Sequence, residues 1–239
     1  MTNELAAEAT KLTDVCRAIF GDEANWIKAD GYPHSLALAI IDSIFSTGSH
    51  YQSVINVVNE YRAYRRSQGA DADQDGTGEL LRTFEEVGDS KGWAVLVNNH
   101  KPAHTGAKAL LKAEVVRQAA EALKALDITT RAELHAEHST DEGLSPVKEA
   151  WLRLPSQSSG VTFNYFLILA GFQSVKPDRM VIRFVEEHAG LEGKRLTSMQ
   201  TAELIKKVAE LYPTQPRRLD HVIWRHVSGR EIFRAEELS

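Results

Sequence analysis

The stretch "LRLPSQSSGVTFNYFLILAGFQSVKPDRMVIRFV", Leu152–Val185, decides the fold. A helix must stop at Leu154–Pro155, because Pro155 has no N–H to continue it and Ser156–Gly160 is small and polar. "VTFNYFLILAG" is apolar nearly all round and ends on Gly171, as a buried helix with a glycine stop does. After a short loop, Asp178 stands where a helix N-cap belongs. Val181, Ile182, Phe184 and Val185 then recur at helical spacing. The stretch predicts helix, tight polar hairpin, helix, short loop, helix.

The same periodicity extends both ways. Thr2–Phe20 puts Leu5, Ala9, Leu12, Val15, Cys16 and Ile19 on one face. "SLALAIIDSIFS" has the all-round apolarity of a central helix, and "YQSVINVVNEYRAYRRSQG" predicts a helix exposing Arg62, Arg65 and Arg66. Further helices are predicted in "ELLRTFEEVG", "KALLKAEVVRQAAEALKAL", "TTRAELHAEH" and "SPVKEAWLRLP", the last with Ser145–Pro146 as cap and first turn. "TSMQTAELIKKVAELY" and "QPRRLDHVIWRHVSG" complete about ten helices. The fold class is all-α.

At 239 residues, 43% hydrophobic and 26% charged, the chain reads as a soluble globular protein. "MTNELAA" lacks the basic start and apolar core of a secretory signal, and "YFLILAGF" is too short to span a bilayer. One cysteine, Cys16, excludes an internal disulfide and a cysteine-ligated iron–sulfur cluster, so the expected home is the cytoplasm. Net charge is −5 but uneven: residues 1–142 carry −8 and residues 143–239 carry +3. A polyanion-binding surface would therefore involve the C-terminal part.

Three apparent metal or phosphate motifs fail on composition. "DADQDGTGELLR" imitates a calcium loop, but its twelfth position is Arg82 instead of a bidentate Glu. His100, His104, His135 and His138 have no carboxylate or cysteine at ligand spacing. "GDSKGW" and "GLEGKR" lack the strand context and spacing of a phosphate loop. The hairpin is different. Small residues there let backbone N–H groups approach an anion at the positive end of a helix, which makes a phosphate site that reads no base sequence.

The segment resembles the helix-hairpin-helix and catalytic-Asp signature of the endonuclease III-like DNA glycosylases. That family's hairpin reads roughly L-P-G-[VI]-G-x-K-T-A and its later loop V-D-T-H-V-x-R. Leu154 and Pro155 match the first two positions; Asp178, Val181 and Arg183 match the loop's Asp, Val and Arg. The motif's seventh position, Lys in bifunctional members, falls on Gly160, 18 residues before Asp178 as in the family. Ser156 and Ser158 replace the two hairpin glycines. The resemblance spans about residues 33–230, with residues 150–185 its specific part.

It implies one glycosylase unit over residues 1–239, with a helical barrel lobe at 33–142 and a second lobe formed by 1–32 and 143–239. It implies that Asp178 stabilises the oxocarbenium-like centre formed as an N-glycosidic bond breaks, and orients the attacking water, after the nucleotide is flipped from double-stranded DNA. Ser156, Gln157, Ser158, Ser159, Gly160, Lys176 and Arg179 would hold DNA, and Arg183 either a phosphate or an ion-pair partner. Gly48 takes the family's wedge position, with His50 or Tyr51 to fill the gap, and Ser46, His50, Tyr51, Asn99 and His100 are candidates for the base pocket. Without a lysine at Gly160 no lyase step is expected. The resemblance also implies a monomer with no cofactor and no iron–sulfur cluster, with a structural monovalent cation at the hairpin allowed. A non-catalytic DNA-binding protein and a purely structural all-α interaction protein are the competing readings. Which base is excised, and whether for repair or for removal of modified foreign DNA, is left open.

Overall fold

The computed structural model describes residues 5–28, 30–191 and 193–233. The first residues of the predicted leading helix, Thr2–Glu4, and Glu192 of "GLEGKR" lie outside them. The described residues form twelve α-helices and no strand. Their contacts divide them into two units: residues up to Asp30 with those from Phe172 onward, and Gly31–Gly171.

The first unit packs α1 (Ala6–Phe20), α10 (Arg179–His188), α11 (Ser198–Leu211) and α12 (Pro216–Val227). α1 lies mainly on α11 and α10 on α12. Leu12, Cys16 and Phe20, at the expected helical spacing, meet Phe184, Val185, Leu204, Ile205 and Ile223 in one apolar cluster. Burial pushes the Cys16 thiol up to about 12, so it behaves as a small hydrophobe. Thr197 caps α11 in a reciprocal capping box with Gln200.

The second unit is built around α2 (Leu36–Phe45), all ten residues of which are buried. α3 (Tyr51–Ser67), α6 (Lys112–Lys124) and α9 (Val161–Leu169) pack on it. α4 (Thr77–Glu86) and α5 (Ser90–Leu96) cover α6, and α7 (Arg131–Thr140) precedes α8 (Ser145–Leu152). The segment 143–171, expected in the lobe of the C-terminal helices, groups instead with residues 31–142, because α9 packs on α2 and α8 on α6.

Four local expectations are corrected. α6 starts at Lys112, since Pro102 and Gly106 turn residues 101–111 into a loop closed by Lys112 N–H to Lys101 O at 2.9 Å. α5 was not expected; the Asp89 side chain caps it by accepting from Lys91 and Gly92 N–H. Ser145 is the first helical residue rather than the cap, and the Asp141 carboxylate accepts its N–H at 2.6 Å. The calcium-like loop uses its carboxylates internally: Asp73 pairs with Arg62 at 2.5 Å, and Asp75 with Arg65 and the Tyr61 hydroxyl. Arg65 is therefore buried, not exposed as its place in the helix suggested.

Candidate functional site

In the first unit, Asp178 is the N-cap of α10. Its backbone is extended, and its Oδ1 accepts the N–H groups of Met180 at 2.9 Å and Val181 at 3.0 Å. Two of the orphan donors at the helix start are thereby satisfied by one oxygen. The second oxygen accepts no hydrogen bond from the described residues, and the side chain is half-buried. A carboxylate held this way has one fixed and one presented oxygen at the positive end of a helix.

The loop before it is pinned. Asp178 donates its N–H to Lys176 O at 2.7 Å across Pro177, and Lys176 donates its own N–H to Asp220 Oδ2 on α12 at 3.2 Å. Arg179 and Arg183 are exposed and form no ion pair among the described residues. Arg183 instead lines a cavity of about 370 Å³ with Glu186, Lys194 and Arg195.

In the second unit, α8 and α9 are joined by a hairpin at residues 153–160. Gln157 N–H donates to Leu154 O at 3.1 Å and Gly160 N–H to Gln157 O at 3.2 Å, forming two successive tight turns. Ser156 adopts φ 65° and Gly160 φ 75°. Ser156, Ser158 and Ser159 are exposed, and the N–H groups of Ser158 and Ser159 meet no backbone acceptor among the described residues. Gln157 departs from expectation. It is 2% exposed, donates to Pro155 O and accepts from the buried Thr162 hydroxyl, which in turn accepts from Trp151 Nε1 at 3.0 Å. Its side chain locks the hairpin from within and offers nothing to an external ligand.

The same unit holds the two loops that carry the base-pocket candidates. Lys101 Nζ lies 3.4 Å and Lys112 Nζ 3.1 Å from Ser49 Oγ, which ties residues 97–101 to residues 46–50. Gly48 is exposed at φ 58° with open space around it, and His50 and His100 are exposed. Ser46 Oγ is turned back to Ser43 O at 2.8 Å. Asn99 binds Ser53 Oγ and the Lys101 N–H, so it holds its own loop.

Two groups here escape sequence reading. Lys112 is 3% exposed; its Nζ reaches Phe45 O at 2.9 Å and also Thr47 O, capping the C-terminal end of α2. Burial, with Lys101 adding to it, lowers its pKa to about 8. Asp42, 5% exposed in the middle of α2, accepts from the Tyr32 hydroxyl at 2.7 Å. Burial first, then the Asp42 and Tyr51 charges, push the Tyr165 hydroxyl well above the ordinary phenol range. Tyr51, a wedge candidate, is an exposed aromatic at the first position of α3.

Among the described residues no helix is long and apolar enough to cross a membrane, and no three His, Cys, Asp or Glu side chains gather to hold a metal. Residues 10–228 match a family described only as Domain of unknown function (DUF8548). No curated protein and no solved structure matches the chain.

Proposed function

We propose that this chain, which belongs to the DUF8548 family, is a monofunctional DNA glycosylase that flips a damaged or modified base from the duplex and hydrolyses its N-glycosidic bond. The observation that carries the reading is Asp178. One oxygen is fixed by two N–H groups of α10 and the other is presented, in the loop that follows a helix-hairpin-helix in the same chain. In a water-poor cleft such a carboxylate stabilises positive charge growing on the deoxyribose and orients the water that attacks C1′.

Several features support the parts around it. The exposed serines and unbonded N–H groups of the hairpin suit a phosphate, and Lys176 and Arg179 flank Asp178 with positive charge. The left-handed φ of Gly160 disfavours any lysine there, which agrees with hydrolysis and no Schiff base. The carbonyls of Leu154, Pro155 and Gln157 each accept one hydrogen bond and keep a second lone pair for a monovalent cation. In this reading the protein works as a cytoplasmic monomer on double-stranded DNA and needs no cofactor.

The test is Asp178→Asn on a panel of duplexes carrying alkylated, deaminated, oxidised or otherwise modified bases, with alkali cleavage of abasic sites as readout. Wild type should release one class of base and the variant should not, while both bind abasic duplex. Salt-dependent DNA binding by wild type without release of any base would favour the non-catalytic DNA-binding protein.

A further inference from the structure

Asp220 is a carboxyl group that the proposed chemistry does not use. It lies on α12, 5% exposed, beside Leu219, Val222 and Ile223, which are at or below 1%. Its Oδ2 accepts the Lys176 N–H, and its buried Oδ1 accepts no hydrogen bond among the described residues. Placing a half-satisfied carboxyl on the apolar side of a helix is unfavourable, so its presence calls for a cause.

The loop supplies one. Val175, 1% exposed, anchors the start of the loop in the core, and Pro177 has no N–H to offer. The amides of Lys176 and Asp178 therefore carry the backbone hydrogen bonds between Val175 and α10. The first goes to Asp220, the second to Lys176 O, and Asp178 Oδ1 then takes the first turn of α10. A continuous series of hydrogen bonds runs from the α12 side chain to the N-cap. Burial pushes the Asp220 carboxyl up to about 8, against the opposing Lys176 hydrogen bond and with Asp178's charge in the same direction. At neutral pH Asp220 is then largely a neutral acid, which accepts the amide without adding a like charge beside Asp178.

We propose that Asp220 is the positioning residue of this site: through the Lys176 peptide it fixes the loop that presents the Asp178 carboxylate. Its catalytic consequence rests on the glycosylase reading, whereas its geometry does not. The experiment compares Asp220→Ala and Asp220→Asn in the full chain, with thermal melts to confirm folding. Two readouts are taken: amide hydrogen exchange at Lys176 and Asp178, and single-turnover base release alongside affinity for abasic duplex. Asp220→Ala should speed exchange at both amides about tenfold or more. It should slow base release about 10–100-fold while leaving DNA affinity within about twofold. Asp220→Asn keeps a neutral oxygen acceptor and should restore both protection and rate to within about threefold.

Unchanged exchange in Asp220→Ala overturns the proposal. So does a normal release rate in that variant, or an Asn variant that folds yet is as slow as Ala. If wild type releases no base from any duplex, the glycosylase reading falls and exchange alone decides. Protection lost in Ala and regained in Asn then upholds the positioning, and unchanged protection rejects it.

Discussion

Arg65 Nε lies 2.7 Å from Asp75 Oδ2, and its Nη2 lies 3.1 Å from Oδ1, in a two-pronged pair whose side chains are 7% and 4% exposed. The Tyr61 hydroxyl donates to the same carboxylate at 2.8 Å. Removing one member of a buried pair leaves the other charge uncompensated. Arg65→Met should therefore destabilise the protein by about 3–5 kcal/mol in urea unfolding. Adding Asp75→Leu should recover a large part of that loss. Equal midpoints for Arg65→Met and wild type would show that the pair is not buried in solution.

Lys112 gives a pH dependence with an unusual sign. An unfolded lysine titrates near about 10.4, whereas burial holds the folded one at about 8. Between those values the unfolded chain binds more protons, so this group's contribution to stability rises with pH through that window. Measured against Lys112→Gln, wild type should gain in urea midpoint between pH 8 and pH 10. A difference that stays flat or narrows would mean that Lys112 is not shifted downward.

Ser156 holds a left-handed φ of 65° that L residues other than glycine adopt at a cost. It is exposed, and its side chain makes no hydrogen bond among the described residues. Ser156→Gly should stabilise the hairpin by up to about 1 kcal/mol, the strain relief being partly offset by glycine's greater freedom when unfolded. Calorimetric melting of the two proteins is the check, and a lower melting temperature for the glycine variant counts against the hairpin geometry.

Asp178 has a capping role separable from its proposed chemistry. Asn caps a helix about as well as Asp, while Ala costs about 1 kcal/mol. Asp178→Asn should melt like wild type and Asp178→Ala should melt lower. A variant pair with equal, wild-type stability would place the cap elsewhere.

Much of the helical order was legible because the cues are local. Asp178, Thr197 and the apolar run of α2 announce themselves within a few residues. α5 was not legible, since "SKGWAVL" is too short for periodicity and its start is set by the Asp89 side chain. Arg65 and Lys112 defeat local reading for another reason. Their partners lie 10 and more than 60 residues away, and only folding brings the opposite charge or the helix-end carbonyls to them. Gln157 looked like part of an open polar turn, yet the Trp151–Thr162 pair draws it inward. Asp220 left one usable trace: it sits between Leu219 and Ile223, on the side of α12 where the period calls for an apolar residue.

The unit built from both ends of the chain has a consequence for synthesis. α1 presents Leu12, Cys16 and Phe20 to helices that begin only at Arg179 and Ser198. At about 5–20 residues per second, the 158 residues between Phe20 and Arg179 keep α1 waiting for about 8–32 s while the Gly31–Gly171 unit emerges whole. The later unit in sequence order thus has every partner first, and the chain's first helix is among the last to be buried. Truncation after Gly171 should leave α1 as an exposed apolar stripe and spare the unit before the cut.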